Sequence, residues 1–100
     1  MKHRLIVVSG QRILQIQETA EWTTIKVGRA GSLPSGVYDI FAATEACQGE
    51  VYRGLIVHCD DRWVYQLVGR KYLKHRREQF TALPLVGTSV SVTCTSESAQ

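Results

Sequence analysis

Residues 51–80 read VYRGLIVHCDDRWVYQLVGRKYLKHRREQF, and the fold class follows from how that stretch alternates. Trp63, Tyr65 and Leu67 interleave with Val64, Gln66 and Val68, a period of two that suits a strand with one buried face. Upstream, residues 51–59 are rich in Val, Ile, Leu and Tyr, side chains that fit a pleated surface. Asp60-Asp61 between the two runs signals a turn, because short carboxylate side chains accept hydrogen bonds from amides just downstream. A β-hairpin over 51–68 is therefore the first expectation, with Gly69 ending it. Directly afterwards, Arg70, Lys71, Lys74, Arg76 and Arg77 place five of the 12 Lys and Arg within eight residues. The stretch predicts a sheet with a basic rim edged by aromatic rings.

Outward from this centre the pattern stays extended. Residues 4–8 and 13–17 read as paired strands around a short turn at Ser9-Gly10-Gln11, and 22–27 as a third strand favoured by its Thr and Ile content. GRAGSLPSG, residues 28–36, is a loop. Residues 37–41 form a short strand, and 42–47 a helical turn or compact loop. Residues 75–80 read as one helical turn with Phe80 dropping inward, and Pro84 bars a longer helix. The last strand is 88–94, with Val90, Val92 and Cys94 facing the core. Gly54, inside a strand pattern, implies a bulge or a close backbone approach. Six or seven strands, no long helix and no repeat give a mostly β protein. The expected architecture is a small SH3-like barrel or a strongly curled antiparallel sheet with one or two short helical turns, since closure removes exposed edges. Residues 1–100 make one domain, with an N-terminal hairpin section over 1–30.

Composition bounds the function. A hydrophobic share of 44% and a charged share of 21% are ordinary for a globular chain, and the formal charge of +3 is too mild for a dedicated duplex-binding protein. No run approaches the roughly 20 apolar residues of a membrane span. The apolar run 5–8 stops at Ser9-Gly10, too short for a secretory leader. Cys47, Cys59 and Cys94 are odd in number and match no disulfide scaffold, so a reduced, cytoplasmic chain is expected.

Candidate chemistry is sparse. The glycine-rich loop lacks the spacing of a phosphate cradle. His58, Cys59 and His75, with Cys94, carry zinc-binding groups, but adjacent strand residues point to opposite faces and no CxxC or HxxxH spacing is present. No nucleophile elbow accompanies any Cys–His pair, and a turn accounts for Asp60 and Asp61. Neither a catalytic set nor a metal or cofactor is expected. The basic run has two readings. Its cations suit phosphate, with Trp63, Tyr65 and Tyr72 offering stacking surfaces. Alternatively, Trp63 and Tyr65 are core and the arginines form a solvated or protein-facing patch.

Several ordered pieces resemble the KfrB domain of plasmid proteins: Leu33-Pro34-Ser35-Gly36-Val37-Tyr38, Tyr52-Arg53-Gly54-Leu55-Ile56, Val64-Tyr65-Gln66-Leu67-Val68-Gly69-Arg70, Leu73-Lys74-His75-Arg76-Arg77 and Val86-Gly87-Thr88-Ser89-Val90. Together they span about residues 33–94, and the combination of YxGxI, VYQxxGR and LxH is the specific part. The resemblance implies a non-enzymatic accessory module of plasmid maintenance or conjugation. Its expected partner is a protein of the segregation or transfer machinery. Single-stranded or structured nucleic acid bound through 70–77 is the alternative, and inhibition of a host defence or conjugation component a further one. The expected contact residues are Arg70, Lys71, Tyr72, Lys74, His75, Arg76 and Arg77, with no membrane contact. A homodimer through an exposed strand edge is compatible with this reading.

Overall fold

The structure, a computed structural model, describes residues 2–47 and 49–93. It is mostly β and is built from two sheets. The first contains β1 (Lys2–Val8), β2 (Gln11–Gln17), β3 (Trp22–Arg29) and β4 (Gly36–Tyr38) in the order β3-β2-β1-β4. The second contains β5 (Thr44–Glu45), β6 (Val51–Cys59), β7 (Trp63–Val68), β8 (Lys71–Arg76) and β9 (Ser89–Thr93) in the order β5-β8-β7-β6-β9. Two 3-10 turns, Ile40–Ala42 and Arg77–Gln79, are the helical content of the described residues. No helix among them is long and apolar enough to cross a membrane.

Local chemistry explains the connections. β1 and β2 pair from Lys2↔Gln17 to Val8↔Gln11, leaving a two-residue loop in which Ser9 (φ 51°) and Gly10 (φ 74°) are both left-handed. That is the turn whose twist matches flanking strands, and Gln11 lies in β2 rather than in the turn. The β7–β8 hairpin is equally tight. Val68 faces Lys71, and Gly69 at φ 63° supplies the positive angle at the first loop position. Asp60 caps the β6–β7 turn, its Oδ1 accepting from the amides of Arg62 (2.8 Å) and Trp63 (2.7 Å).

The inner faces of the two sheets meet in a core of Leu5, Val7 and Tyr38 from the first sheet and Val57 and Tyr65 from the second. Ala30 and Leu33 from the loop between β3 and β4 plug its side, and Tyr38 Oη holds that loop by donating to the Pro34 carbonyl at 2.6 Å. Fully burying a side chain such as Leu5, at 0% exposure, contributes about 1.5–3 kcal/mol.

Several expectations need correction. β7 is covered on both faces, not one: Val64, Tyr65 and Gln66 are all buried, because the first sheet packs on one side and the segment after β8 folds over the other. Lys71–Arg76, within the basic run, is a strand, and the helical turn expected over 75–80 is a shorter 3-10 turn, Arg77–Gln79. Residues 44–45 form β5, a short parallel strand beside β8 (Thr44↔Leu73, Glu45↔Lys74), instead of extending a helical turn. Gly28 lies within β3 and Gly36 opens β4, so the loop is shorter than residues 28–36, and the strand expected over 37–41 ends at Tyr38, with Ile40–Ala42 in a 3-10 turn. Val92 is buried as expected, whereas Cys94 lies outside the described residues.

No closed barrel is found among the described residues; both sheets keep open edges. Gln79 Nε2, in the turn after β8, reaches the Thr93 carbonyl of β9 at 3.2 Å, so that segment crosses the face of the second sheet. Gly54 lets β6 and β7 approach closely. A Cβ there would run into the Leu67 carbonyl oxygen and lie 3.1 Å from Val68 Cα, the close approach its strand context implied.

Candidate functional site

The alternation of β8 decides what the basic run is. Tyr72, Lys74 and Arg76 are registered against Leu67, Tyr65 and Trp63 and therefore share the inner, inter-sheet side. Leu73 and His75 are registered against Gln66 and Val64 and take the opposite face. The charges that are dense in sequence are thus divided in space.

On the inner side the cations lean on an aromatic ring. Lys74 Nζ lies 4.4 Å and Arg76 Cζ 5.7 Å from the Trp63 ring centroid, within the range of cation–π attraction. Arg76 Nε also pairs with Glu45 Oε2 at 3.1 Å. Around Trp63 opens a cleft of about 530 Å³ lined by Asp61, Arg62, Trp63, Arg76, Arg77 and Glu78. Two bonds shape its wall: the Arg77 amide donates to the Arg62 carbonyl at 2.9 Å, and Arg77 Nη1 donates to the Asp60 carbonyl at 3.0 Å. Three guanidinium groups, two carboxylates and an indole make a mixed-sign polar cleft. Arg70 and Lys71 stand apart at the hairpin tip, where they and Tyr72 line a cleft of about 350 Å³ with Ala42 and Thr44.

His75 does not belong to this surface. It is 1% exposed, and its Nε2 lies 2.8 Å from Gln66 Oε1. Gln66, at 0% exposure, points its Nε2 at the carbonyls of Tyr52 (3.2 Å), Gly54 (3.3 Å) and Val90 (3.0 Å). Since the carboxamide oxygen can only accept, His75 donates from Nε2. Burial holds its pKa below the ordinary 6.5, which keeps the ring neutral. Tyr52 and Phe80 pack edge-on against the imidazole, with centroids 5.8 and 6.3 Å away. His75, expected among the contact residues, is instead committed to a side-chain bond inside a strand. The three motifs YxGxI, VYQxxGR and LxH converge on one buried network.

The aromatic residues considered for base stacking are mostly committed elsewhere. Tyr65 is in the core, stacked at 5.9 Å on His58, and its hydroxyl lies 3.4 Å from Asp60 Oδ2. Burial, with the neighbouring Asp60 carboxylate, pushes its pKa up to about 12. Tyr72 is half-buried against the core, and Trp63 carries Lys74. His58 is buried, and burial beside Arg12 lowers its pKa to about 4. Cys59 sits next in the strand, its thiol pKa raised by burial. Among the described residues no group of three or more His, Cys, Asp or Glu is placed to hold a metal.

Arg62 and Glu45 are the members of this surface that sequence reading missed. A two-residue loop at Gly69-Arg70 sets Trp63 opposite Arg76, hence Arg62 opposite Arg77, so recognising that hairpin would have found Arg62. Nothing local announces Glu45, which lies 31 residues from Arg76.

Comparison with known proteins gives two findings. Residues 51–99 match the family described as KfrB Domain. The Leu33–Tyr38 piece lies outside that match, and the other four pieces lie within it. The chain is also similar to Protein TraB of Escherichia coli, 29% identical over 92 residues, which covers 89% of this chain and 63% of that protein. The chain thus spans less than two thirds of the relative's length.

Proposed function

We propose, from the premise that this chain carries a KfrB-like domain, that it is a non-enzymatic binding module of plasmid maintenance or transfer whose basic rim receives a protein partner. The observation that carries this reading is the cleft around Trp63, where Lys74 and Arg76 lean on the indole and Asp61 and Glu78 interrupt the positive charge. Mixed signs with an aromatic floor suit the side chains of a polypeptide. A phosphate backbone is better served by a continuous line of cations and bare ring faces. The similarity to Protein TraB supports a setting in plasmid transfer.

The test is recovery of partners on the tagged chain from plasmid-bearing cells, with wild type beside a variant carrying Arg76→Glu and Arg77→Glu. A segregation or transfer protein recovered by wild type and lost from the variant is the expected result. Recovering none overturns the reading. One observation favours nucleic acid instead: the cleft where Arg70, Lys71 and Tyr72 meet at the hairpin tip. Oligonucleotide binding at about 50 mM salt that weakens steeply as salt rises would replace the protein reading with that one.

A further inference from the structure

We propose that the outward face of the first sheet is a second docking surface, and that its occupant is an acidic amphipathic helix of a partner protein. This rests on the binding-module reading and adds a surface and a partner chemistry to it. The first sheet turns Leu5, Val7 and Tyr38 inward. Alternation therefore turns Ile6, Val8 and Ile13 outward, with Val37 and Val27 registered against them. Val37↔Ile6↔Ile13↔Val27 forms an unbroken aliphatic row across all four strands. Its ends stand open to water: Val37 is 60% and Val27 55% exposed. Lys2, Arg4, Gln11, Gln15 and Gln17 share this face on the two central strands, so the row is an aliphatic stripe framed by polar side chains, the pattern of an exposed apolar patch with a polar rim that marks a docking site.

Charge selects the occupant. Lys2, Arg4 and Arg29 share this face, and none of the four strands contains an Asp or Glu. Arg4 is held in place. Its guanidinium lies 3.9 Å over the Trp22 ring and its Nε donates to Gln15 Oε1 at 2.9 Å, while Gln15 Nε2 donates to Thr24 Oγ1 at 3.1 Å. An ordered cation beside an aliphatic row receives a carboxylate at little entropic cost. A second copy of this chain would set cation against cation with no carboxylate to answer either. The row is about 14 Å long, three strand spacings, which about ten residues of α-helix cover. The complementary element is a helix of about three turns with aliphatic residues at i, i+3, i+4 and i+7 and carboxylates on its flanks.

The experiment titrates the full chain with two synthetic helical peptides that share a leucine stripe, one flanked by Glu and one by Lys. Binding is read by amide shift mapping, and by Trp22 emission in a Trp63→Phe background. The Glu peptide should bind at least about tenfold tighter than the Lys peptide, with shifts confined to β1–β4. Val27→Glu with Val37→Glu should abolish binding; both sites are exposed, and an unchanged amide spectrum elsewhere shows that the variant folds. Arg4→Glu with Arg29→Glu should invert the peptide preference. Equal affinity for the two peptides, or shifts on the second sheet, overturns the proposal. So does sedimentation as a dimer that Val27→Glu dissociates, or capture by anionic phosphatidylserine vesicles that the same variant loses. Recovery of a transfer partner by the Val27→Glu, Val37→Glu chain at wild-type level would reject this surface and leave the binding-module reading standing. No partner recovered by wild type would remove that reading, while the peptide titration still reports on the surface.

Discussion

Replacing Gln66 by Leu would unmake the network in which the three motifs meet. The side chain is fully buried, and leucine fills nearly its volume, so the loss is polar and leaves little cavity. His75 Nε2, now 2.8 Å from Gln66 Oε1, would keep its hydrogen with no acceptor in a dry site, at about 1–3 kcal/mol. The carboxamide N–H groups that serve the Tyr52, Gly54 and Val90 carbonyls would vanish, at about 0.5–1.5 kcal/mol for each bond lost. A total of at least about 2.5 kcal/mol follows, which lowers Tm by at least about 10 °C in a domain of this size. Equilibrium urea unfolding of wild type, Gln66→Leu, His75→Phe and the double variant measures it. Because His75→Phe removes the orphaned donor, the double variant should be less destabilised than the sum of the single changes, with a coupling of about 1–3 kcal/mol. A Gln66→Leu loss below about 0.5 kcal/mol, or an additive cycle, would refute the reasoning.

Gly54→Ala should destabilise by more than about 3 kcal/mol or prevent folding, since its Cβ meets the fixed backbone of Leu67 and Val68; a soluble variant of near wild-type Tm would contradict this. Acid should weaken the fold through His58, whose folded pKa of about 4 lies below the ordinary 6.5. The stability it protects is complete above about pH 6.5. Some 3 kcal/mol of it is lost as pH falls toward 4, because the unfolded chain takes up the proton first. His58→Phe should flatten that part of a stability–pH curve. His75, also depressed by burial, acts in the same direction. By contrast, Arg76→Ala breaks an ion pair whose side chains are 57% and 48% exposed, so urea unfolding should show a change below about 1 kcal/mol. A larger change would mean that the lost contact with Trp63, not the ion pair, dominates.

What the sequence determined by itself is whatever alternation and turn chemistry encode locally. β6 and β7 fall at the expected residues 51–59 and 63–68, Asp60 caps the turn between them, and Gly54 answers a close backbone approach. Each depends on neighbours a few residues away. Tertiary structure decided the rest. Gln66 sits in a period-two run where a polar residue looks water-facing, yet both faces of β7 are covered, and carbonyls of β6 and β9 with His75 of β8 turn its amide into a buried junction. The basic run reads as one patch along the chain, but pairing β8 against β7 sends Lys74 and Arg76 toward Trp63 and His75 to the opposite face. The division into two sheets instead of one closed barrel depends on which edges find partners. That choice is made by contacts among residues far apart in sequence, whose loop-closure entropy is offset only by a core that no short window of sequence contains.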